Sequence, residues 1–157
     1  MTKKVKLAYL VSHPIQYQAP LLRRIAEESD IDLTVFCGSD FSVRGYKDEG
    51  FGGVGVKWDI PLLDGYRHEF LPALRDTGKT GRFSPLNYGI FSRLHDGRGH
   101  AAADVLWVHG YSTANALLGM LAAKALGIPV LLRAESRRMD RGGGQAKEAA
   151  RRLFFAG

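Results

Sequence analysis

The chain has 157 residues, of which 45% are hydrophobic, so its length and composition fit one domain with one core and exclude two cores of that kind. Its formal net charge of +6 favours an anionic partner such as a nucleotide or a phospholipid surface, although a merely solvated basic surface gives the same charge. No motif of nucleic-acid recognition accompanies that charge, so we expect no nucleic-acid partner.

No stretch of the sequence predicts a leader peptide or a membrane span. The apolar run after Lys4 is interrupted by Lys6 and ends at Ser12, which is too short for the core of a signal peptide. No run approaches the ~20 apolar residues of a spanning helix. The single cysteine, Cys37, excludes an intrachain disulfide and fits a reducing compartment. We therefore expect a cytoplasmic protein and leave open a peripheral contact with the inner face of the membrane.

The first third of the chain predicts a strand, a helix and a second strand. Residues 5–11 are apolar without alternation, which is typical of a buried strand. A helix follows over about residues 19–29, with Pro20 in its first turn and Leu21 among the residues on its inward face. Residues 31–37 form another apolar run. Together these segments have the size of one βαβ unit with a right-handed crossover.

Residues 38–103 give weaker signals. Extended pieces are predicted at 57–60 and 68–71, and a helix is predicted at 86–94 with Ser84 as its cap. A loop as long as this whole stretch is uncommon in a compact domain. We therefore expect it to contain a third strand and an additional hairpin or loop.

Regular structure returns after this stretch. Residues 104–108 predict a strand, and a helix is predicted from about 113 to 126 with Ser112 as its first cap and Gly127 at its end. Because Lys124 is the only charge in that helix, we expect most of its circumference to be covered. The remaining segments are a strand at 130–133, a Gly- and Arg-rich loop at 134–144 and a helix at 146–155.

The alternation of strands and helices predicts an α/β, three-layer, Rossmann-like domain with a mostly parallel sheet in the order 3-2-1-4-5. A polar cluster follows each of four predicted strands. Carboxyl ends of parallel strands share one edge, where open α/β sheets bind ligands. The four clusters are Ser12-His13, Gly38-Ser39-Asp40, His109-Gly110-Tyr111 and Arg133-Ala134-Glu135-Ser136.

The loop after the first strand carries four candidate binding residues, Ser12, His13, Gln16 and Tyr17. A hydroxyl, an imidazole and an amide near the N-terminus of a helix can position a polyhydroxyl ligand or a phosphate. Packing within the loop explains the same residues equally well, so both interpretations stay open.

The two later clusters offer acid–base and charged groups. His109 can act as a base or a hydrogen-bond partner of a sugar hydroxyl, with Gly110 allowing a close approach and Tyr111 beside it. Arg133 can pair with a phosphate or carboxylate, and Glu135 can accept from hydroxyls. Alternatively, Arg133 and Glu135 form an ion pair with each other, because they lie on the same face of the strand.

Two motif matches are set aside. Gly78-Lys79-Thr80 resembles the end of a phosphate loop, but Ala73 stands where the first glycine belongs and no strand leads into it. His95, His100 and the neighbouring carboxylates lack the spacing of metal ligands, so we expect no metal site.

Five stretches of the chain resemble the N-terminal domain of family 4 (group 1) glycosyltransferases of the GT-B fold. They are VSHPIQYQAPLLRRIAE, LTVFCGSDFS, WDIPLLDGYRHEFL, DVLWVHGY and GIPVLLRAES, and SHPIQY and RAES are the most specific parts. The resemblance implies a Rossmann-like lobe that receives the acceptor and faces a second lobe that binds a nucleotide sugar. It also implies metal-independent transfer, usually with retention at the anomeric carbon.

The resemblance extends to individual residues. His109 matches the family's histidine that contacts the donor sugar near the reaction centre, and residues 12–17 match the loop that closes over the donor phosphates and the acceptor. Many relatives have a Gly-Gly pair in that loop, where this chain has His13-Pro14, which favours side-chain contacts over close backbone contact. The family's paired glutamates and basic residues that hold the leaving diphosphate belong to the second lobe.

We therefore expect residues 1–157 to be the acceptor-side lobe of a longer glycosyltransferase that is inactive alone and acts in polysaccharide or glycolipid assembly. The expected partners are a nucleotide-sugar donor and a saccharide or lipid-linked acceptor, with no cofactor and no metal. Phe154 and Phe155 at the end of an apolar helix would allow a dimer. Two alternatives stay open: a GT-B sugar-nucleotide epimerase, and a non-catalytic, flavodoxin-like binding or regulatory module.

Overall fold

The structure is a computed structural model that describes residues 3–48, 54–56 and 58–133. Its elements are, in chain order, β1 (Val5–Val11), α1 (Ala19–Ala26), β2 (Ile31–Cys37), α2 (Phe41–Arg44), β3 (Tyr46–Asp48), β4 (Val54–Val56), β5 (Arg67–Phe70), β6 (Ala73–Arg75), β7 (Leu86–Asn87), α3 (Ile90–Leu94), β8 (Val105–His109), α4 (Ala114–Ala125) and β9 (Val130–Arg133). The predicted loop 134–144, the helix 146–155 and Glu135 lie outside the described residues.

Five parallel strands form the central sheet, in the order β5-β2-β1-β8-β9. Because β5 is the third of these strands along the chain, the order is 3-2-1-4-5, which confirms the predicted α/β, Rossmann-like architecture. After β1, the next two strands along the chain, β2 and β5, are added on one side of β1, and the last two, β8 and β9, are added on its other side. This reversal of direction places a crevice at the carboxyl ends of β1 and β8, where folds of this kind bind ligands.

Apolar side chains pack on both faces of the sheet, because successive strand residues point to opposite sides. One cluster joins the sheet to α3 and α4 and includes Ala8, Leu10, Phe36, Leu94, Leu106, Val108, Met120 and Ala123. The other cluster joins the sheet to α1 and includes Tyr9, Val11, Leu22, Leu33, Val35 and Cys37. Helix, sheet and helix therefore form the three predicted layers.

The structure corrects several details of the two main helices. α1 ends at Ala26, and Leu21 is 39% exposed, because Leu22 and Ile25 face the sheet and Leu21 lies at the edge of that stripe. α4 begins after Thr113, whose hydroxyl accepts from the Ala116 N–H at 3.2 Å, so Thr113 and not Ser112 is the cap.

α4 is also less covered than its composition suggests. Three leucines, Leu117, Leu118 and Leu121, are exposed on the side away from the sheet. The predicted end of α4 is confirmed, since Gly127 follows it with φ +68°. Among the described residues, α4 is the longest helix, and no helix has the length and apolar character needed to cross a membrane.

The middle of the chain contains the expected third strand and additional hairpins. β5 corresponds to the predicted extended piece at 68–71 and pairs with β2. β3 pairs antiparallel with β4, and β6 with β7, whereas residues 58–60 form no strand. The predicted helix at 86–94 is reduced to α3, because β7 occupies its first residues. Ser84 is not its cap: the Ser84 hydroxyl accepts from the Thr77 N–H at 3.0 Å.

At Gly38 the chain after β2 lies close to the loop after β1 and to the segment around β7. A Cβ on Gly38 would lie 2.7 Å from both Asn87 Oδ1 and Pro85 Cγ, and 2.9 Å from the Ser12 carbonyl oxygen. We expect Gly38→Ala to lower the free energy of unfolding by about 1–3 kcal/mol, because this crowded site has no space for a methyl group. Urea unfolding of the chain measures the change.

Gly81→Ala is the matched control, because a Cβ there would have no atom of a described residue within 4 Å. We expect a change below about 0.5 kcal/mol. Equal stability of both variants would show that the loops around Gly38 yield easily.

Candidate functional site

The polar clusters meet at the carboxyl edge of the sheet. Parallel pairing sets Val11 beside Cys37 and His109 beside Arg133. Beyond the strands, the Gly38 N–H donates to the Val11 carbonyl at 3.0 Å, and the Gly110 N–H donates to the Arg133 carbonyl at 2.8 Å. The predicted placement at this edge is therefore confirmed for the first three clusters and for Arg133 of the fourth, whose other residues lie outside the described ones.

His13 is held in place on two sides. Its Nδ1 lies 3.0 Å from Ser12 Oγ and 3.2 Å from Thr80 Oγ1, and its ring packs on Phe41 with 4.5 Å between centroids. If Nδ1 accepts from these two hydroxyls, the ring proton is on Nε2. The side chain then presents an N–H donor in a fixed orientation.

Burial determines the charge of His13. Loss of contact with water, together with the nearby His109, lowers the pKa of His13 from 6.5 to about 4. The imidazole is therefore neutral at pH 7. A neutral imidazole suits hydrogen bonds with hydroxyl groups better than the binding of an anion.

His109 lies beside the tyrosine of the first loop. Its Nε2 is 3.4 Å from the Tyr17 hydroxyl, and the two ring centroids are 6.4 Å apart. Tyr17 is 53% exposed, so this pair borders solvent. The next residue, Gly110, has φ +77°, and no described residue lies within 4 Å of the place where a Cβ would be, so the described part of the chain leaves space beside His109.

We call Ser12, His13, Tyr17 and His109 the histidine site. Direct contacts join Ser12 to His13 and Tyr17 to His109, and the two pairs lie next to each other because Leu10 of β1 is paired with Val108 of β8. Two elements that are distant in the sequence, the loop after β1 and the end of β8, therefore supply one cluster of hydroxyl and imidazole groups.

Arg133 lies beside this cluster at the end of β9. Its charge opposes the effect of burial on Tyr9, a buried residue whose pKa burial raises well above its usual range. The guanidinium is therefore close to the carboxyl half of β1. Its predicted partner Glu135 lies outside the described residues.

Two predicted binding residues have their described contacts elsewhere. The Gln16 amide donates to Asp59 Oδ1 at 3.1 Å, in the segment before β5. Tyr111 packs against the apolar cluster on the α4 side of the sheet. Neither side chain has a recorded contact with His13 or His109 among the described residues.

Cys37 is buried at the end of β2, and burial raises the pKa of its thiol to about 12. It is therefore a small core residue and not a reactive thiolate at neutral pH. Within the described part of the chain, no three His, Cys, Asp or Glu side chains are grouped so that they could hold a metal ion.

The structure adds residues that sequence analysis did not predict. Thr80 and Phe41 reach His13 from loops without a periodic pattern. Asn87 is 1% exposed, and its Nδ2 lies 2.8 Å from the Gly38 carbonyl and 2.9 Å from the Leu71 carbonyl. This amide connects the chain after β2 to the chain after β5.

Two further buried amides lie at the starts of helices. Gln18 precedes α1 and Asn115 is in the first turn of α4, and each is 1% exposed. Both amide atoms of Gln18, and Oδ1 of Asn115, have no hydrogen-bond partner among the described residues. An unpaired buried amide lowers stability, so these residues favour a functional role over a purely structural one.

No protein-family model and no curated protein sequence matches the chain. What the protein does is therefore inferred from its own residues and their geometry.

The low pKa of His13 predicts a pH-dependent stability. Between pH 6.5 and about 4, His13 takes up a proton in the unfolded chain but stays neutral in the folded chain. The free energy of unfolding is therefore highest above pH 6.5 and decreases as the pH falls through this range. Through His13 the parent chain should lose about 2 kcal/mol of its free energy of unfolding between pH 7 and pH 5, and His13→Asn should not show this part of the decrease. Urea unfolding at both pH values measures it.

His68→Asn is the control, because it removes an exposed histidine on β5. It should leave the pH dependence as in the parent chain. An NMR titration that places the midpoint of His13 near 6.5 would contradict the proposed burial effect.

The unpaired amide of Gln18 predicts a stabilising substitution. Gln18→Met keeps the length of the side chain and removes both polar atoms, so we expect a gain of about 1 kcal/mol in the free energy of unfolding. Gln16→Met is the control, since the amide of Gln16 is already hydrogen-bonded to Asp59. A loss of stability in Gln18→Met alone would show that the amide has a partner in the folded protein.

Proposed function

We propose that the chain is the acceptor-side lobe of a family 4 glycosyltransferase of the GT-B fold. The intact enzyme transfers a sugar from a nucleotide-sugar donor to a saccharide or lipid-linked acceptor. The observation that carries the proposal is the meeting of His13, Tyr17 and His109 at the carboxyl ends of β1 and β8, where the sheet reverses its strand order.

The location of the matching motifs supports the proposal. SHPIQY forms the loop after β1, and VHGY contains the end of β8, so the two motifs contribute all four residues of the histidine site. The strand order supports it as well. An order of 3-2-1-4-5 is that of nucleotide-binding Rossmann folds, whereas flavodoxin-like proteins have 2-1-3-4-5. The alternative of a flavodoxin-like module is disfavoured for this reason.

In this proposal the histidine site positions sugar hydroxyls. Neutral His13 donates from Nε2 and His109 accepts or donates, while the Tyr17 hydroxyl lies at the border with solvent. The oxygen of an acceptor hydroxyl forms a bond to the anomeric carbon as the bond between that carbon and the diphosphate oxygen breaks, and the hydroxyl proton passes to the departing diphosphate. His109 is within reach to hold the hydroxyl of the reacting sugar during this step.

The departing diphosphate needs fixed positive groups. The resemblance assigns most of them to a second lobe, so the chain of 157 residues alone should not turn over. Among the described basic residues, Arg133 is paired directly with His109 in the sheet, because β9 pairs with β8.

The test uses the full-length protein that contains this chain, incubated with a panel of nucleotide sugars and with saccharide and polyprenyl-phosphate acceptors. We expect sugar transfer, and we expect His109→Ala to lower kcat by about 10²-fold or more. His100→Ala, an exposed histidine paired with Asp96, is the matched control and should retain activity.

The other outcomes identify the alternatives. Formation of a new sugar nucleotide without any acceptor would support the epimerase. Specific ligand binding without any product would support a non-catalytic binding module. Transfer by the chain of 157 residues alone would contradict the need for a second lobe.

A further inference from the structure

The loop between β6 and β7, residues 76–85, is attached to three other parts of the carboxyl edge. Its attachments are the hydrogen bonds from Ser39 Oγ to Asp76 Oδ2, between Thr80 Oγ1 and His13 Nδ1 at 3.2 Å, and from the Ala114 N–H to the Arg82 carbonyl at 2.7 Å. Of these partners, Ser39 follows β2, His13 follows β1 and Ala114 is the first residue of α4. This loop, which we call the basic loop, therefore lies across the same edge as the histidine site.

The basic loop is also ordered by its own hydrogen bonds. Thr77 is bound to Ser84 through its N–H at 3.0 Å and through its hydroxyl at 2.8 Å. The Gly78 N–H donates to Asp76 Oδ1 at 2.9 Å, and Gly81 exchanges two backbone hydrogen bonds with Ser84. A loop with this many internal contacts is shaped before a ligand arrives, which lowers the entropy cost of binding.

The basic loop and Arg75 form the walls of a cavity of about 290 Å³ that is widely open to solvent. Its lining is Arg75, Thr77, Lys79, Thr80, Gly81, Arg82, Phe83 and Ser84. The volume is slightly below the ~300 Å³ at which pockets for whole small molecules begin. The cavity therefore suits one chemical group of a ligand, such as a phosphoryl group.

The charges around the cavity are mostly positive. Three cationic side chains, Arg75, Lys79 and Arg82, line it. The acidic residue of the basic loop is Asp76, and each of its carboxylate oxygens accepts one hydrogen bond, from the Ser39 hydroxyl and from the Gly78 N–H. Neither Arg75 nor Arg82 has a recorded ion pair with a described residue. The two arginines alone therefore carry more positive charge than the single carboxylate of the loop can neutralise.

We propose that this cavity binds the phosphoryl group of a ligand, held by the guanidinium groups of Arg75 and Arg82 and by the ammonium group of Lys79. Guanidinium forks pair with phosphate oxygens in two-point contacts, and a lysine adds a point charge. Binding is by side chains, in contrast to the backbone cradle of a phosphate loop, whose sequence pattern the chain does not complete.

The Thr80–His13 contact connects this cavity to the histidine site. Thr80 lines the cavity and its hydroxyl is 3.2 Å from His13 Nδ1. A phosphoryl group in the cavity therefore lies next to the groups that can hold sugar hydroxyls. The binding of phosphate here does not depend on sugar transfer, and it can be measured on the chain alone.

The test is a calorimetric titration of the chain with pyrophosphate, together with amide NMR. The variant Arg75→Gln/Lys79→Gln/Arg82→Gln should bind at least about tenfold more weakly, because it removes the charged groups of the cavity. In the parent chain, the amide resonances of Thr77 to Gly81 should shift most. Lys4→Gln/Arg98→Gln/Lys124→Gln removes the same charge from exposed positions and should bind within about twofold of the parent.

An equal loss of affinity in both triple variants, or resonance shifts spread over the whole surface, would overturn the proposal and leave only the general attraction of a basic protein. Failure of the parent chain to bind pyrophosphate would overturn it as well. Thermal unfolding checks that each variant is folded. If the triple variant does not fold, Arg75→Gln alone replaces it and should weaken binding about threefold.

A second arm identifies the source of the phosphoryl group. Sedimentation with phosphatidylglycerol vesicles, compared with phosphatidylcholine vesicles, tests a lipid headgroup. Binding to the anionic vesicles that only the cavity variant loses supports a membrane lipid as the source. Pyrophosphate binding without vesicle binding supports a soluble phosphorylated ligand. Vesicle binding that both triple variants lose equally counts against the cavity as the lipid site.

Discussion

The parallel alignment of five strands is the constraint on which the rest of the molecule depends. Since the strands run in one direction, every loop that follows a strand emerges at the same edge. The pairing of β8 with β9 puts His109 beside Arg133, and the pairing of β1 with β8 brings the loop with His13 and Tyr17 to the same place. Antiparallel pairing of β1 with β8 would put these groups at opposite ends of the sheet.

The electrostatic character of the edge divides it into two regions. At the histidine site, burial keeps His13 neutral, and a second imidazole nearby makes protonation still less favourable. Positive charge lies instead on the basic loop and on Arg133. A neutral region and a cationic region that share Thr80 and His13 fit a ligand with hydroxyl groups at one end and a phosphoryl group at the other, which is the composition of the substrates proposed.

The sheet and its edge could be predicted because their signals are local. Continuous apolar runs mark buried parallel strands, and the residues just after each run belong to the edge. The partners of His13 could not be predicted in this way. Thr80 is 67 positions away and Phe41 belongs to a four-residue helix, so only tertiary packing brings them to the imidazole. The first cap of α4 was ambiguous for a different reason, since Ser112 and Thr113 are adjacent and both can cap a helix.

The distribution of ion pairs helps decide what the net charge of +6 means. Several cations on the rest of the surface are paired with carboxylates, as in Arg67 with Asp32, Arg93 with Glu69 and Arg24 with Glu28. Two arginines of the basic loop region, Arg75 and Arg82, have no such pair among the described residues. Lys4, Arg98 and Lys124 also have no ion pair with a described residue, but they belong to three separate segments, whereas Arg75 and Arg82 line one open cavity at the carboxyl edge of the sheet. The phosphoryl site proposed above would give this local excess of positive charge a role.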